Sequence, residues 1–149
     1  MAQPARSSAV RPGDTALAAR LKQNLRGEVL FDAFSRGRYS TDASIYQIEP
    51  LGVVVPRDKD DVAAAIAIAR EEGVPVLPRG GGTSQCGQTV GRALVIDCSK
   101  HMQGVLSVDV ERRRALVQPG VVLERLNKSL KAKGLFFPVE SQVACADDP

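Results

Sequence analysis

The stretch Pro78-Arg79-Gly80-Gly81-Gly82-Thr83-Ser84-Gln85-Cys86-Gly87-Gln88 constrains this chain more than any other, because four of its eleven residues are glycine and three of those are consecutive. Glycine has no Cβ, enters φ > 0 freely and lets another group come close to the backbone. A loop built this way turns several backbone N–H groups toward one point, which makes a seat for a phosphate or another anion. Thr83 and Ser84 add hydroxyl donors, and Arg79 adds a planar cation. Upstream, Val74-Pro75-Val76-Leu77 reads as a short buried strand, and downstream Ala93-Leu94-Val95-Ile96-Asp97 reads as another. A glycine loop leaving a strand end is where α/β proteins place ligands. Composition alone leaves a second reading open, a surface loop that only turns the chain.

Two phosphate motifs fail on spacing. G-x-G-x-x-G breaks at Gln85. The P-loop pattern nearly fits at Gly82 and Gly87, but Gln88 stands where the phosphate-reaching lysine belongs, so an ATPase reading is rejected. On that rejection Thr89 lies beyond the seat and is expected to be silent for binding. A length of 149 residues suits one domain that buries about two-thirds of its unfolded surface. With 4% aromatics and no Trp, the core is one of Val, Leu, Ile and Ala. A net charge of +3 suits an anionic cofactor and is too weak to argue for nucleic acid. Cys86, Cys98 and Cys145 are odd in number and lack C-x-x-C spacing, which argues against a disulfide framework or a metal cluster and for a reducing compartment. One histidine, His101, excludes a multi-histidine metal site. No apolar run reaches transmembrane length, and no apolar segment follows Arg6 and Arg11 to make a secretory signal.

Along the chain, Met1 to Gly13 is Ala/Ser/Pro/Arg-rich and expected to be disordered. Asp14 caps a helix through Ala16, Leu17, Leu21 and Leu25 that Gly27 stops, and Phe31 to Pro50 reads as loop and short turns. Gly52 to Pro56 is a buried β-branched strand. Asp58 opens a helix whose Asp60 and Asp61 favour its positive N-terminus, and Gly73 ends it. The strand into the glycine loop then completes a β-α-β unit with its first two strands parallel. Gln103 to Val110 and Arg114 to Gln118 form an antiparallel hairpin about the Glu111-Arg112-Arg113 turn. A helix opens at Gly120 with an apolar stripe of Val122, Leu123, Leu126 and Leu130, and Gly134 caps it. Tyr46 and His101 are read as packing or surface residues, Cys86 as a small buried thiol, and the Arg112–Arg114 run as a solvated turn.

Several of these pieces recur together. Arg79-Gly80-Gly81-Gly82-Thr83-Ser84, then Gly87-Gln88, then Val95-Ile96-Asp97, then Val117-Gln118-Pro119-Gly120-Val121 occur in this order. The set resembles the PCMH-type FAD-binding domain of the vanillyl-alcohol oxidase/p-cresol methylhydroxylase superfamily, above all its branch of FAD-linked D-lactate, glycolate and 2-hydroxyglutarate dehydrogenases. Phe31 to Asp42 and Ser44 to Pro50 match that branch's lead-in, and the resemblance runs from Gly27 to Pro138. It implies an α+β fold: a small parallel β-α-β sheet, then an antiparallel hairpin and a helix, with the second half missing. It implies a partial FAD-binding domain over 27–138; the disordered start and N-terminal helix over 1–26 precede it, and an atypical tail over 139–149, which departs from the family, reads as a truncated or out-of-frame end.

The resemblance also implies that Pro78, Arg79, Gly80, Gly81, Gly82, Thr83, Ser84, Gly87 and Gln88 wrap the FAD pyrophosphate. Several relatives attach the flavin to a histidine just after the glycines; Thr83 stands there, so the FAD is expected to be non-covalent. The implied function is FAD binding within an oxidoreductase acting on a 2-hydroxy acid. Its catalytic base and carboxylate clamp, which cannot be named here, are expected downstream of Pro149, in a missing substrate or iron–sulfur region. A cytoplasmic location follows, with peripheral membrane association in full-length relatives. The alternative is a non-catalytic remnant that holds no flavin.

Overall fold

The computed structural model describes residues 10–139. The expected disordered start at 1–9, residues 140–149 of the expected tail, and Cys145 lie outside them. The order is α1 (Thr15–Asn24), β1 (Glu28–Leu30), α2 (Ala33–Arg38), β2 (Gly52–Val55), α3 (Lys59–Glu71), β3 (Val76–Arg79), β4 (Leu94–Asp97), β5 (Val105–Asp109), β6 (Arg114–Val117) and α4 (Leu123–Lys131). This is the expected α+β arrangement.

Helix starts follow capping chemistry. The Asp14 carboxylate accepts from Leu17 N–H at 2.9 Å, and Asp58 does the same for Asp60 and Asp61 N–H ahead of α3. Asp61 does more than face a helix dipole. It is buried, and its two oxygens accept from Arg26 N–H at 3.0 Å and Arg57 N–H at 2.9 Å. It therefore joins the α1–β1 connector to the β2–α3 connector.

Four strands form one sheet in the order β1-β2-β4-β3, with β1 antiparallel to β2 and both β2 and β3 parallel to β4. Val54, Leu94 and Ile96 face a core with Leu17 and Leu21 of α1 and Ala65, Ile68 and Ala69 of α3. Val53, Val55 and Val95 alternate to the opposite face, against Leu30, Tyr39 and Leu77. As expected, β2 and β3 are parallel, with β4 lying between them. Two expectations are corrected. The span Phe31 to Pro50 contains α2, and β1 pairs just ahead of it. Second, the strand entering the glycine loop is a half-exposed edge, with Val76 40% exposed, where a buried strand was expected.

The β5–β6 hairpin forms a separate two-stranded sheet, turning at Arg113 with φ 51°. Gln118 closes its open end: its N–H donates to Gly104 O at 2.8 Å and its side-chain oxygen accepts from Gly104 N–H at 2.7 Å. Among the described residues no helix is long and apolar enough to cross a membrane.

Candidate functional site

The chain leaves the sheet at Arg79, runs through the glycine loop, and returns to β4 at Leu94. Three ties fix the loop. The Arg79 guanidinium donates to Thr89 O at 3.0 Å and to Thr41 O at 2.9 Å, while lying 5.3 Å from the Tyr39 ring centre. Asp42 Oδ2 accepts from Thr89 Oγ1 at 2.9 Å and from Thr89 N–H at 3.3 Å. Ala43 N–H donates to Gly82 O at 3.1 Å. Residues 41–43 thus run alongside the loop and hold it.

Within the loop, Gly82 has φ +70°, and a Cβ there would strike the Arg79 guanidinium. Gly81 needs no such conformation: its φ lies outside the left-handed region, and an added Cβ would meet only Thr83 Cγ2, at 3.6 Å. Ser84 turns inward, donating to Gln88 Oε1 at 2.6 Å and accepting from Cys86 and Gln88 N–H at 3.3 Å each. Among the described residues, none of the backbone N–H groups of Gly80 to Thr83 has an acceptor, and neither does the Thr83 hydroxyl.

These free donors border a hollow of about 260 Å³ lined by Gly80, Gly81 and Thr83 on one side and by Ser99, Gln103 and Pro119 to Leu123 on the other. The second wall is the turn into α4. Gly120 fits it because its N–H reaches Met102 O at 2.8 Å while its Cα sits against Cys98 O, where any Cβ would collide. No side chain caps α4, so its first N–H groups are open at this wall. A row of free amides, a hydroxyl and a helix N-terminus around one hollow is the donor set that a pyrophosphate accepts from. The chemistry of the residues fits the group expected from sequence. A larger hollow of about 420 Å³ lies between the β5–β6 hairpin and Phe136–Phe137, mostly apolar apart from Arg113 and Arg114.

Hydrogen bonds from Ser44 above all, with Thr89 adding to them, lower the Asp42 carboxyl to about 2. Burial first, and then the hydrogen bond to Asp97 at 2.6 Å, push the Tyr39 phenol up. Burial likewise raises the Cys98 thiol.

Of the residues singled out from sequence, Gly80, Gly81 and Thr83 line the hollow. The side chains of Arg79, Ser84 and Gln88 are engaged within the protein. Gly87 lies under the Tyr46 ring, which is about half exposed. Cys86 is exposed, not the buried thiol expected. His101 sits beside Glu28 with Lys100, away from the hollow. Thr89, expected to be silent, is gripped by Asp42 and Arg79. Asp42, Thr41 and Tyr39 were missed as site residues; the one signal for them was the match of the lead-in segment, which carried no roles.

The FAD binding domain family model matches residues 50–146. D-2-hydroxyglutarate dehydrogenase of Pseudomonas putida is 41% identical over 127 residues, which cover 83% of this chain and 13% of that protein. Glycolate oxidase subunit GlcD of Bacillus subtilis is 40% identical over 115 residues, 72% of this chain and 24% of that subunit. The chain therefore spans a minor part of the curated relatives it matches. Among solved structures, alkyldihydroxyacetonephosphate synthase aligns with a TM-score of 0.68 at 24% identity, covering 80% of this chain and 25% of that one. At that identity the likeness shows the fold.

Proposed function

The chain belongs to the FAD binding domain family, and from that premise we propose that Gly80 to Thr83 seat the pyrophosphate of a non-covalently held FAD in an oxidoreductase that acts on a 2-hydroxy acid. The observation that carries the proposal is the run of N–H groups from Gly80 to Thr83 without acceptors among the described residues, with Gly80, Gly81 and Thr83 lining a hollow that Val121 to Leu123 at the α4 N-terminus also lines. Ser84, Gly87 and Gln88 shape the far half of the loop, and Pro78 and Arg79 deliver it from β3. The partial FAD-binding unit runs over residues 27–138.

The flavin, when bound, supplies the acceptor for a hydride. The protein's own part is to bind the phosphates and orient the ring system. The non-covalent reading is supported by Thr83, whose hydroxyl has no base beside it among the residues that line the hollow. His101, the one histidine, does not line the hollow. The choice of 2-hydroxy acid rests on the names of relatives, which specify 2-hydroxyglutarate, glycolate and D-lactate.

Titration of the purified chain with FAD, followed by flavin fluorescence, is expected to give saturable quenching that ADP reverses. Acid precipitation is then expected to leave the yellow colour in the supernatant. Absence of saturable quenching would leave the second reading, a fold that holds no flavin. Colour in the pellet would refute the non-covalent assignment.

A further inference from the structure

We propose that Asp42 is a positioning residue for the phosphate seat: it touches no ligand, and through Thr89 it holds the glycine loop closed at its neck. This rests on the reading of Gly80 to Thr83 as the seat. Arg79 opens the loop and Thr89 ends it, and the hydrogen bond from the Arg79 guanidinium to Thr89 O at 3.0 Å joins the two ends into a ring. Asp42 grips the same residue from its other side, through both the amide and the hydroxyl of Thr89. Its second oxygen accepts from Ser44 N–H at 2.9 Å, so both oxygens of the carboxylate are engaged with the protein. The next residue, Ala43, reaches the middle of the loop at Gly82 O. Asp42 does not line the hollow.

A carboxylate bonded to an anion-binding loop is electrostatically unfavourable for the anion. That fact gives the proposal a test of sign. If Asp42 acted only through its charge, Asp42→Asn would tighten FAD binding. As a positioning residue it does the reverse. An amide has one acceptor oxygen, so the bonds from Ser44 N–H and from Thr89 N–H cannot both be kept; either the grip on Thr89 or the turn that aims it is lost, and the ligand must order the loop.

The experiment compares the 149-residue wild type with Asp42→Asn, Thr89→Val and the double variant. FAD affinity is read by flavin fluorescence, and amide hydrogen exchange is read without FAD. Asp42→Asn and Thr89→Val are each expected to weaken FAD about tenfold, the effect of losing one charge-assisted hydrogen bond. The double variant is expected to be no weaker than the worse single one, because both remove the same contact. In Thr89→Val the Ala43 amide, far away in sequence, is expected to exchange at least about tenfold faster as the loop opens. Tighter FAD binding by Asp42→Asn, or additive losses in the double variant, would overturn the proposal. If the wild type takes no FAD, the seat reading falls on its own. Exchange at Ala43 then decides for Asp42: acceleration in Thr89→Val supports the neck contact, and unchanged exchange refutes it.

Discussion

Gly81 and Gly82 are adjacent and chemically identical, yet they carry different constraints. At Gly82 the left-handed φ and the guanidinium packed where a Cβ would lie both demand glycine. At Gly81 the backbone is ordinary and the space beside it is open. Gly81→Val is therefore expected to leave the ligand-free melting temperature nearly unchanged while weakening FAD at least about tenfold, through lost approach to the amides. Gly82→Ala is expected to lower stability without ligand, by roughly 1–2 kcal/mol for the left-handed backbone and further through displacement of Arg79. Parallel thermal melts and flavin titrations separate the two, and a Gly81→Val protein that binds FAD like wild type would remove the loop from the site. The glycine cluster itself was plain in the sequence. Which glycine is conformationally required was not, because that depends on where the Arg79 side chain folds, and Arg79 is fixed by carbonyls of Thr41 and Thr89 that no local pattern announces.

Elements whose signals are local were legible: the capped helices α1 and α3, the all-buried β2 and β4, the hairpin, and the amphipathic α4. β1 was not, because three residues alone carry no period and Glu28 to Leu30 is extended only by pairing with β2. The insertion of β4 between β2 and β3 was hidden for the same reason: strand order comes from pairings between segments far apart in sequence. Asp61 belongs to this scale as well, since it secures two connectors at once. Asp61→Ala would leave two backbone N–H groups without acceptors, at about 1–3 kcal/mol each. The expected result is a marked fall in the urea midpoint, whereas Asp60→Ala, at an exposed position of the same turn, is expected to shift it little. Equal effects from the two would reduce Asp61 to a dipole partner.

For the molecule as a whole, the proposed seat has no acid–base machinery among the described residues that line it. The residues around the hollow are Gly, Thr, Ser, Gln, Pro, Val and Leu, none of which titrates in the range a hydride transfer from a hydroxy acid needs. Dye reduction by the FAD-loaded 149-residue chain with D-lactate, glycolate or D-2-hydroxyglutarate is therefore expected to stay at the level of free FAD, and turnover clearly above it would place a base that the described residues do not reveal. The edge position of β3 has a further consequence, for self-association. A strand with one unpaired side is a template on which other chains can grow. Pro78 stands in that strand without an N–H, a gap in the row of donors that an incoming strand would need. Through that gap Pro78, which leads into the glycine loop, is expected to guard this edge against aggregation. Pro78→Val, a better strand former, is expected to retain the fold and to scatter light in a concentration-dependent way on incubation, where the wild-type chain stays clear.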